Sequence, residues 1–191
     1  HKLHLICEDL ELKPEDHLIE IGTGWGGMAI YAAEHYGCRV TTTTISREQF
    51  DYTVNAVTAR GLQDRITVLS DDYRDLTGQF DKLVSIEMIE AVGRQFLPTY
   101  FGSIASALKP GGTAALQAIC VADSRYDSCS RGSAFIRKHI FPGSHLPCPG
   151  AINQLAAAAG RASGAASSAA DTEADFVVVE RVIEPEPRPE A

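Results

Sequence analysis

The run His17-Leu18-Ile19-Glu20-Ile21, followed at once by Gly22-Thr23-Gly24-Trp25-Gly26-Gly27, constrains this chain more than any other stretch. An apolar segment that breaks into closely spaced glycines reads as a strand entering a tight turn. The residues from about Trp25 to Tyr36 then suit a helix. Strand, glycine turn and helix in that order open a wound α/β sheet, and the first N–H groups of such a helix face a ligand. Glycine is needed where backbone turns tightly or lets a ligand approach with no Cβ in the way. The segment therefore reads as a nucleotide-type cofactor loop.

Spacing alone leaves two cofactors open. Gly22, Gly24 and Gly27 satisfy the G-x-G-x-x-G dinucleotide pattern, whereas Gly22, Gly24 and Gly26 satisfy the G-x-G-x-G pattern of S-adenosylmethionine enzymes. A dinucleotide site expects an acid about 20 residues on, at the end of the second strand, to hold the ribose. Here that strand ends Val40-Thr41-Thr42-Thr43-Thr44-Ile45-Ser46, with no acid. Glu20 stands just ahead of the first glycine, where a carboxylate can face the cationic methionine end of S-adenosylmethionine (SAM). Both features favour SAM over NAD.

Downstream, strands are expected at 17–22, 38–44, 65–70, 80–86 and 113–121. Helices are expected at 3–12, 25–36, 47–60 and 94–108, with a shorter one near 132–139. Ser46 with Gln49 reads as a capping box, and Lys109-Pro110-Gly111-Gly112 as a helix stop. This alternation implies right-handed crossovers and a Rossmann-like α/β fold with a mostly parallel, doubly wound sheet. Ligands in such sheets sit at the carboxyl ends of the strands, so the loops after the first four strands share one crevice.

Residues 156–170 are almost entirely Ala, Ser and Gly, and Glu184–Glu190 is rich in Pro and Glu and reads as disordered. Phe176-Val177-Val178-Val179 suits one more strand. The expected division is a cofactor-binding domain over 1–150 and a divergent, partly disordered tail over 151–191. A net charge of −8 argues against nucleic acid as a partner. The six histidines show no metal-ligand spacing, so no metal is expected. Cys7, Cys38, Cys120, Cys129 and Cys148 are odd in number and unpaired in spacing, which reads as reduced thiols of a cytoplasmic protein. No signal peptide is seen, and no apolar run approaches the roughly 18 residues of a membrane span. The chain begins at His1 and reads as a piece of a longer polypeptide.

Five elements occur in order: Glu20–Gly27; Thr44-Ile45-Ser46-Arg47-Glu48-Gln49; Asp72-Tyr73-Arg74-Asp75; Ser85-Ile86-Glu87-Met88-Ile89-Glu90-Ala91-Val92-Gly93; and Phe135-Ile136-Arg137-Lys138-His139-Ile140-Phe141-Pro142-Gly143. Together, over about residues 1–148, they resemble the cyclopropane-fatty-acyl-phospholipid synthase family, whose members use SAM to modify lipid acyl chains. The resemblance implies that Glu20, Gly22, Thr23, Gly24, Trp25 and Gly26 bind the methionine part and sulfonium. It places Thr44, Ile45, Ser46 and Gln49 on the ribose side, and Asp72 and Tyr73 beside the adenine. Glu90 would help to hold a bicarbonate ion that serves as base, with Gln117 and Ile119 of the fifth strand as further catalytic positions. Gln117 stands where many members carry His; it can donate and accept hydrogen bonds but cannot titrate. Glu87 is a second carboxylate, and it shares a face with Glu90 only if the segment is helical.

The implied reaction moves a methyl group from SAM to the double bond of an unsaturated phospholipid acyl chain. Loss of a proton from the new methyl closes a cyclopropane ring, whereas loss elsewhere gives a methylene or methyl-branched chain. The Tyr-Ser-Cys element that the family carries upstream is absent, as are its Tyr and Cys in the final segment. After Pro147 the sequence leaves the family's pattern. The resemblance thus carries cofactor binding further than turnover, and a non-catalytic SAM-binding remnant is the alternative. A nicotinamide-dependent dehydrogenase is a third reading, opposed by the acid-free second strand. Arg137, Lys138 and His139 lie beside Ile136, Ile140, Phe141 and Leu146. That pairing suits peripheral contact with the inner membrane surface, and equally a helix packed on the sheet. Nothing in the sequence speaks to oligomeric state.

Overall fold

Strand β1 (His17–Ile21) pairs in parallel with β2 (Arg39–Thr43) on one side and with β4 (Phe80–Ile86) on the other. The computed structural model describes residues 1–131, 143–164 and 175–182, with side chains for residues 1–128 and 143–160. Its sheet has six strands in the order β3-β2-β1-β4-β5-β6, with β3 Ile66–Leu69, β5 Leu108–Cys120 and β6 Asp175–Val182. All five pairings are parallel. The chain winds outward from β1 to β3 and then returns to β4, so the topological switch lies between β1 and β4.

The two faces of the sheet bury separate cores. On one, Leu18, Val40 and Val84 pack with Ile6 and Leu10 from the α1 region (α1, Lys2–Asp9). Met28, Ala29 and Ala33 of α2 (Gly27–Tyr36) and Val57 of α3 (Arg47–Ala59) complete that layer. On the other, Ile19, Ile21, Leu83 and Leu116 pack with Tyr100, Phe101 and Ile104 of α5 (Leu97–Ala107). Side chains of a strand alternate between faces. Leu18 and Ile19 accordingly enter opposite cores, and Glu20 falls on the same side as Leu18.

Several boundaries differ from the expected ones for identifiable reasons. Helix α2 starts at Gly27 because Gly26 is left-handed, with φ 77°, and ends the loop. A Cβ on Gly26 would lie 2.7 Å from Thr53 Cγ2, so that position also needs glycine for space. The Lys-Pro-Gly-Gly stop lies inside β5, where the register against β4 shifts between Phe80 and Lys82. Helix α5 is preceded by α4 (Ile89–Val92) and a 3-10 turn at Arg94–Phe96. Helix α6 (Tyr126–Arg131) follows β5, and α7 (Pro149–Gly164) runs across residue 150. Ile152 and Ala156 of α7 join the core beside α5. Alanine is the best helix former, which suits an Ala-rich segment that gains an apolar face to bury. The further strand expected at 176–179 is present within β6, paired with β5. The short helix expected near 132–139 and the whole basic cluster Arg137-Lys138-His139 lie outside the described residues.

Cys7, Cys38, Cys120 and Cys148 are free and buried. Among the described residues no cluster suits a metal ion, and no helix is long and apolar enough to cross a membrane.

Glu20 is the unusual core residue. It is 2% exposed and lies opposite Thr42 in the β1–β2 register. Thr42 Oγ1 donates to Glu20 Oε2 at 2.6 Å, and Thr23 Oγ1 stands 2.7 Å from Thr42 Oγ1. Burial pushes the Glu20 carboxyl from 4.5 up to about 8, against the opposing pull of the Thr42 hydrogen bond. The folded state therefore holds a proton that the unfolded chain releases, and stability falls as pH rises toward the folded value. His17, lowered by burial, works in the opposite sense only near and below its ordinary 6.5. Denaturant unfolding between about pH 6.5 and about pH 8 is expected to show wild type losing stability more steeply than Glu20→Gln. Equal slopes would show that the fold accepts the ionised carboxylate.

Candidate cofactor and active site

The carboxyl ends of β1, β2 and β4 open on a cavity of about 530 Å³. That is within the range of roughly 300–1,000 Å³ typical of small-ligand sites. Ile21, Gly22 and Gly24 come to its wall from the first loop, and Thr43, Thr44, Ile45 and Gln49 from the second. The turn after β3 contributes Asp71, Asp72, Tyr73 and Arg74. Past β4 the wall becomes largely apolar, with Ile86, Met88, Ala91, Val92 and Phe96 beside the single carboxylate of Glu87.

The polar end is internally braced. Thr44 Oγ1 donates to Gln49 Oε1 at 2.8 Å and accepts from Ser46 N–H at 3.1 Å. Ser46 caps α3: its Oγ accepts from Gln49 N–H at 3.3 Å and donates to Glu48 Oε2 at 2.9 Å. Asp72 accepts from Arg74 N–H at 2.9 Å and from the guanidinium at 2.8 and 2.6 Å. Those Arg74 hydrogen bonds hold the Asp72 carboxyl below its ordinary range. The Tyr73 ring meets Tyr100 edge-on at 5.4 Å, and burial raises its hydroxyl pKa.

The carboxylates separate by backbone. Glu87 adopts φ 52°, a conformation that non-glycine residues rarely take, and its N–H donates to Gln117 O at 2.8 Å. Lys2 Nζ donates to both Glu87 Oε1 and Gln117 Oε1, each at 3.3 Å. Glu90 lies in α4 and accepts from Ile119 N–H at 2.5 Å through Oε1. Its Oε2 is buried and has no hydrogen-bond partner among the described residues. Desolvation raises the Glu90 pKa, the Ile119 N–H opposes the rise, and the Glu87 charge adds to it. Glu87 and Glu90 do not share a helical face, because α4 begins only at Ile89.

Of the cofactor residues expected from sequence, Gly22, Gly24, Thr44, Ile45, Gln49, Asp72 and Tyr73 stand on the cavity wall. Glu20, Thr23, Trp25, Gly26 and Ser46 do not line it. Trp25 is 59% exposed and packs edge-on against Tyr52 at 5.2 Å, beside a separate small depression. Of the catalytic candidates, Glu90 and Ile119 are brought together, and Gln117 is tied to Glu87 through Lys2. Glu90, Gln117 and Ile119 adjoin wall residues without lining the cavity. Asp71, Arg74, Met88 and Phe96 were not singled out from sequence. Asp71, Arg74 and Met88 lie in or beside the quoted motifs. Phe96 carries no signal, because an apolar residue within the helix expected at 94–108 reads as core.

A family model for mycolic acid cyclopropane synthetase matches residues 1–167. The tuberculostearic acid methyltransferase of Mycobacterium tuberculosis is 42% identical over 151 residues, which cover 79% of this chain and 35% of that protein. The cyclopropane-fatty-acyl-phospholipid synthase of Escherichia coli K12 is 39% identical over 158 residues, covering 83% and 38%. The chain thus spans little more than a third of the length of these relatives. Among solved structures, a mycolic acid cyclopropane synthase complexed with SAH and CTAB aligns with TM-score 0.73 and 25% identity, over 83% of this chain and 59% of that one. With the glycine loop, the parallel sheet and a match over most of its length in agreement, the chain belongs to the mycolic acid cyclopropane synthetase family.

Proposed function

We propose that this chain is the cofactor-binding part of a SAM-dependent carbon methyltransferase that converts the double bond of an unsaturated phospholipid acyl chain into a cyclopropane. The observation that carries the reading is one cavity at the topological switch, polar toward β1 and β2 and largely apolar beyond β4. Gly24 leaves room for the methionine part, and Gly22 keeps the loop backbone clear of Met88. Thr44, Ile45 and Gln49 serve the ribose, and Asp72 and Tyr73 the adenine. An alkene is a weak nucleophile, so the sulfonium methyl must be held in line with it in a dry pocket. Half-buried Ile86, Met88 and Val92, with Phe96 at the exposed rim, would limit water there and tolerate the carbocation that methyl transfer leaves.

Glu90 Oε2, buried and without a partner among the described residues, would accept from the O–H of a small oxyanion such as bicarbonate. Bound there, bicarbonate supplies the base that removes the proton. Glu90 would orient it and Ile119 N–H would orient Glu90, while Gln117 is held from the side by Lys2. A methyl- or methylene-branched product is the second reading, supported by the likeness to the tuberculostearic acid methyltransferase. The acyl substrate resides in a membrane, and each CH₂ exposed to water costs roughly 0.8 kcal/mol. The protein would therefore act at the cytoplasmic surface of the inner membrane, docking through the segment Ile136–Leu146, of which Leu146 is exposed.

The test is methyl transfer by a polypeptide that restores the length of the relatives. Labelled methyl from SAM is expected to enter unsaturated phospholipid and not its saturated counterpart. SAM binding with no label in lipid would leave the non-catalytic reading. In the same polypeptide Glu90→Gln is expected to slow transfer by about 10²–10⁴-fold and leave SAM affinity unchanged. Unaltered transfer would make Glu90 structural only. Glycine substitutions separate site from scaffold. A Cβ on Gly24 meets no protein atom within 4 Å and would project into the cavity, whereas one on Gly26 strikes Thr53. Gly24→Ala is expected to weaken S-adenosylhomocysteine binding by about tenfold or more, with a loss of melting temperature set by the strain of a side chain at φ 52° and by no clash. Gly26→Ala is expected to lower the melting temperature further. Calorimetry and thermal melts would contradict the assignment if the two effects were exchanged.

A further inference from the structure

Glu20 departs furthest from its expected place. Its carboxyl is off the cavity wall and inside the face that holds Leu18. A Thr hydroxyl has one proton to give. Thr42 gives it to Glu20 Oε2 at 2.6 Å, so at 2.7 Å from Thr23 it must accept. The hydrogen bonds therefore run one way, from Thr23 to Thr42 to Glu20. Thr23 is 2% and Thr42 0% exposed, so water does not compete for them.

Thr23 is also where the loop backbone is pinned. Its N–H donates to Thr43 O at 3.0 Å, and its carbonyl accepts from Gly26 N–H at 2.9 Å. Its neighbours Gly22 and Gly24 are the loop residues on the cavity wall. Gly24 turns at φ 52° with no protein atom near its Cβ position, so packing does not hold that turn. We propose that Glu20 is a positioning residue which, through the hydroxyls of Thr42 and Thr23, anchors the glycine loop in its ligand-receiving shape rather than touching the ligand.

What this role requires is an acceptor at position 20, not a negative charge. A neutral carboxyl and a Gln amide offer the same carbonyl acceptor, and burial favours the neutral carboxyl. The anchor is a property of the loop. Its effect on affinity rests on the SAM reading above.

The test combines amide hydrogen exchange of residues 22–26 in the ligand-free chain with calorimetric binding of S-adenosylhomocysteine and SAM. Losing one buried hydrogen bond is worth about tenfold. Thr42→Val and Thr23→Val are each expected to speed exchange at 22–26 by about tenfold and to weaken both ligands by about the same factor. Exchange in β4 and α5 should stay as in wild type. The two together should be no worse than one alone, as links in series, and Thr42→Ser should restore both readouts. Glu20→Leu should behave as Thr42→Val, and Glu20→Gln should retain loop protection. Unchanged exchange at 22–26 in both Val variants would overturn the proposal. So would a Glu20→Gln variant that loses affinity for cationic SAM far more than for neutral-sulfur S-adenosylhomocysteine, since that marks a direct charge on the ligand. If wild type binds neither ligand, the SAM reading falls while the exchange measurements still decide the anchor.

Discussion

The parallel pairing of β1 with β2 on one side and β4 on the other is the constraint on which the rest depends. The chain leaves β1 through α2 over one face of the sheet, and leaves β4 toward α5 over the other. Loops that part in opposite directions cannot cover the gap between them, and the cavity is that gap. The residues at its edge are therefore set by strand register. Glu20 meets Thr42 and Val84 meets Ala115 across the sheet, and the loops beyond these pairs converge on one place.

What was legible in the sequence is what local chemistry decides. Closely spaced glycines after an apolar run can hardly be anything but a strand and a turn, and Gly22 and Gly24 do reach the cavity. The acid-free stretch Thr41–Thr44 reads as the absence of a dinucleotide partner; in the fold it also supplies the hydroxyl that meets Glu20. Non-local pairing hid the rest. A carboxylate ahead of the glycines reads as a ligand contact that faces the cofactor's cation, because acids are rarely buried without a partner. Its partner Thr42 is a neighbour only through the sheet. Trp25 points to solvent and Tyr52 for a similar reason: the left-handed turn at Gly26 delays the helix. By composition residues 156–170 read as part of a divergent tail, yet α7 carries the alanines as helix as far as Gly164, against the surface that α5 offers.

Two kinds of polar group surround the cavity. Asp72 and Thr44 are tied into local hydrogen bonds that hold them at its edge. Glu90 is different: one oxygen is satisfied by Ile119 N–H and the other is buried with no partner among the described residues. An unsatisfied buried oxygen costs free energy, on the order of 1–3 kcal/mol. Among the described residues nothing meets that cost, which is why a small donor beside α4 is part of the proposal. Glu87, held in strained backbone and paired with Lys2, brings α1 to the far end of the same cavity.

The central claim is that the gap at the switch between β1 and β4 is where SAM binds. Amide chemical-shift mapping of the isotope-labelled chain on titration with S-adenosylhomocysteine tests it most directly. The account predicts saturable shifts confined to residues 22–24, 43–49, 71–74 and 86–88. Shifts centred instead on Glu34, Tyr52 and Arg60, beside exposed Trp25, or no saturable shifts at all, would contradict it.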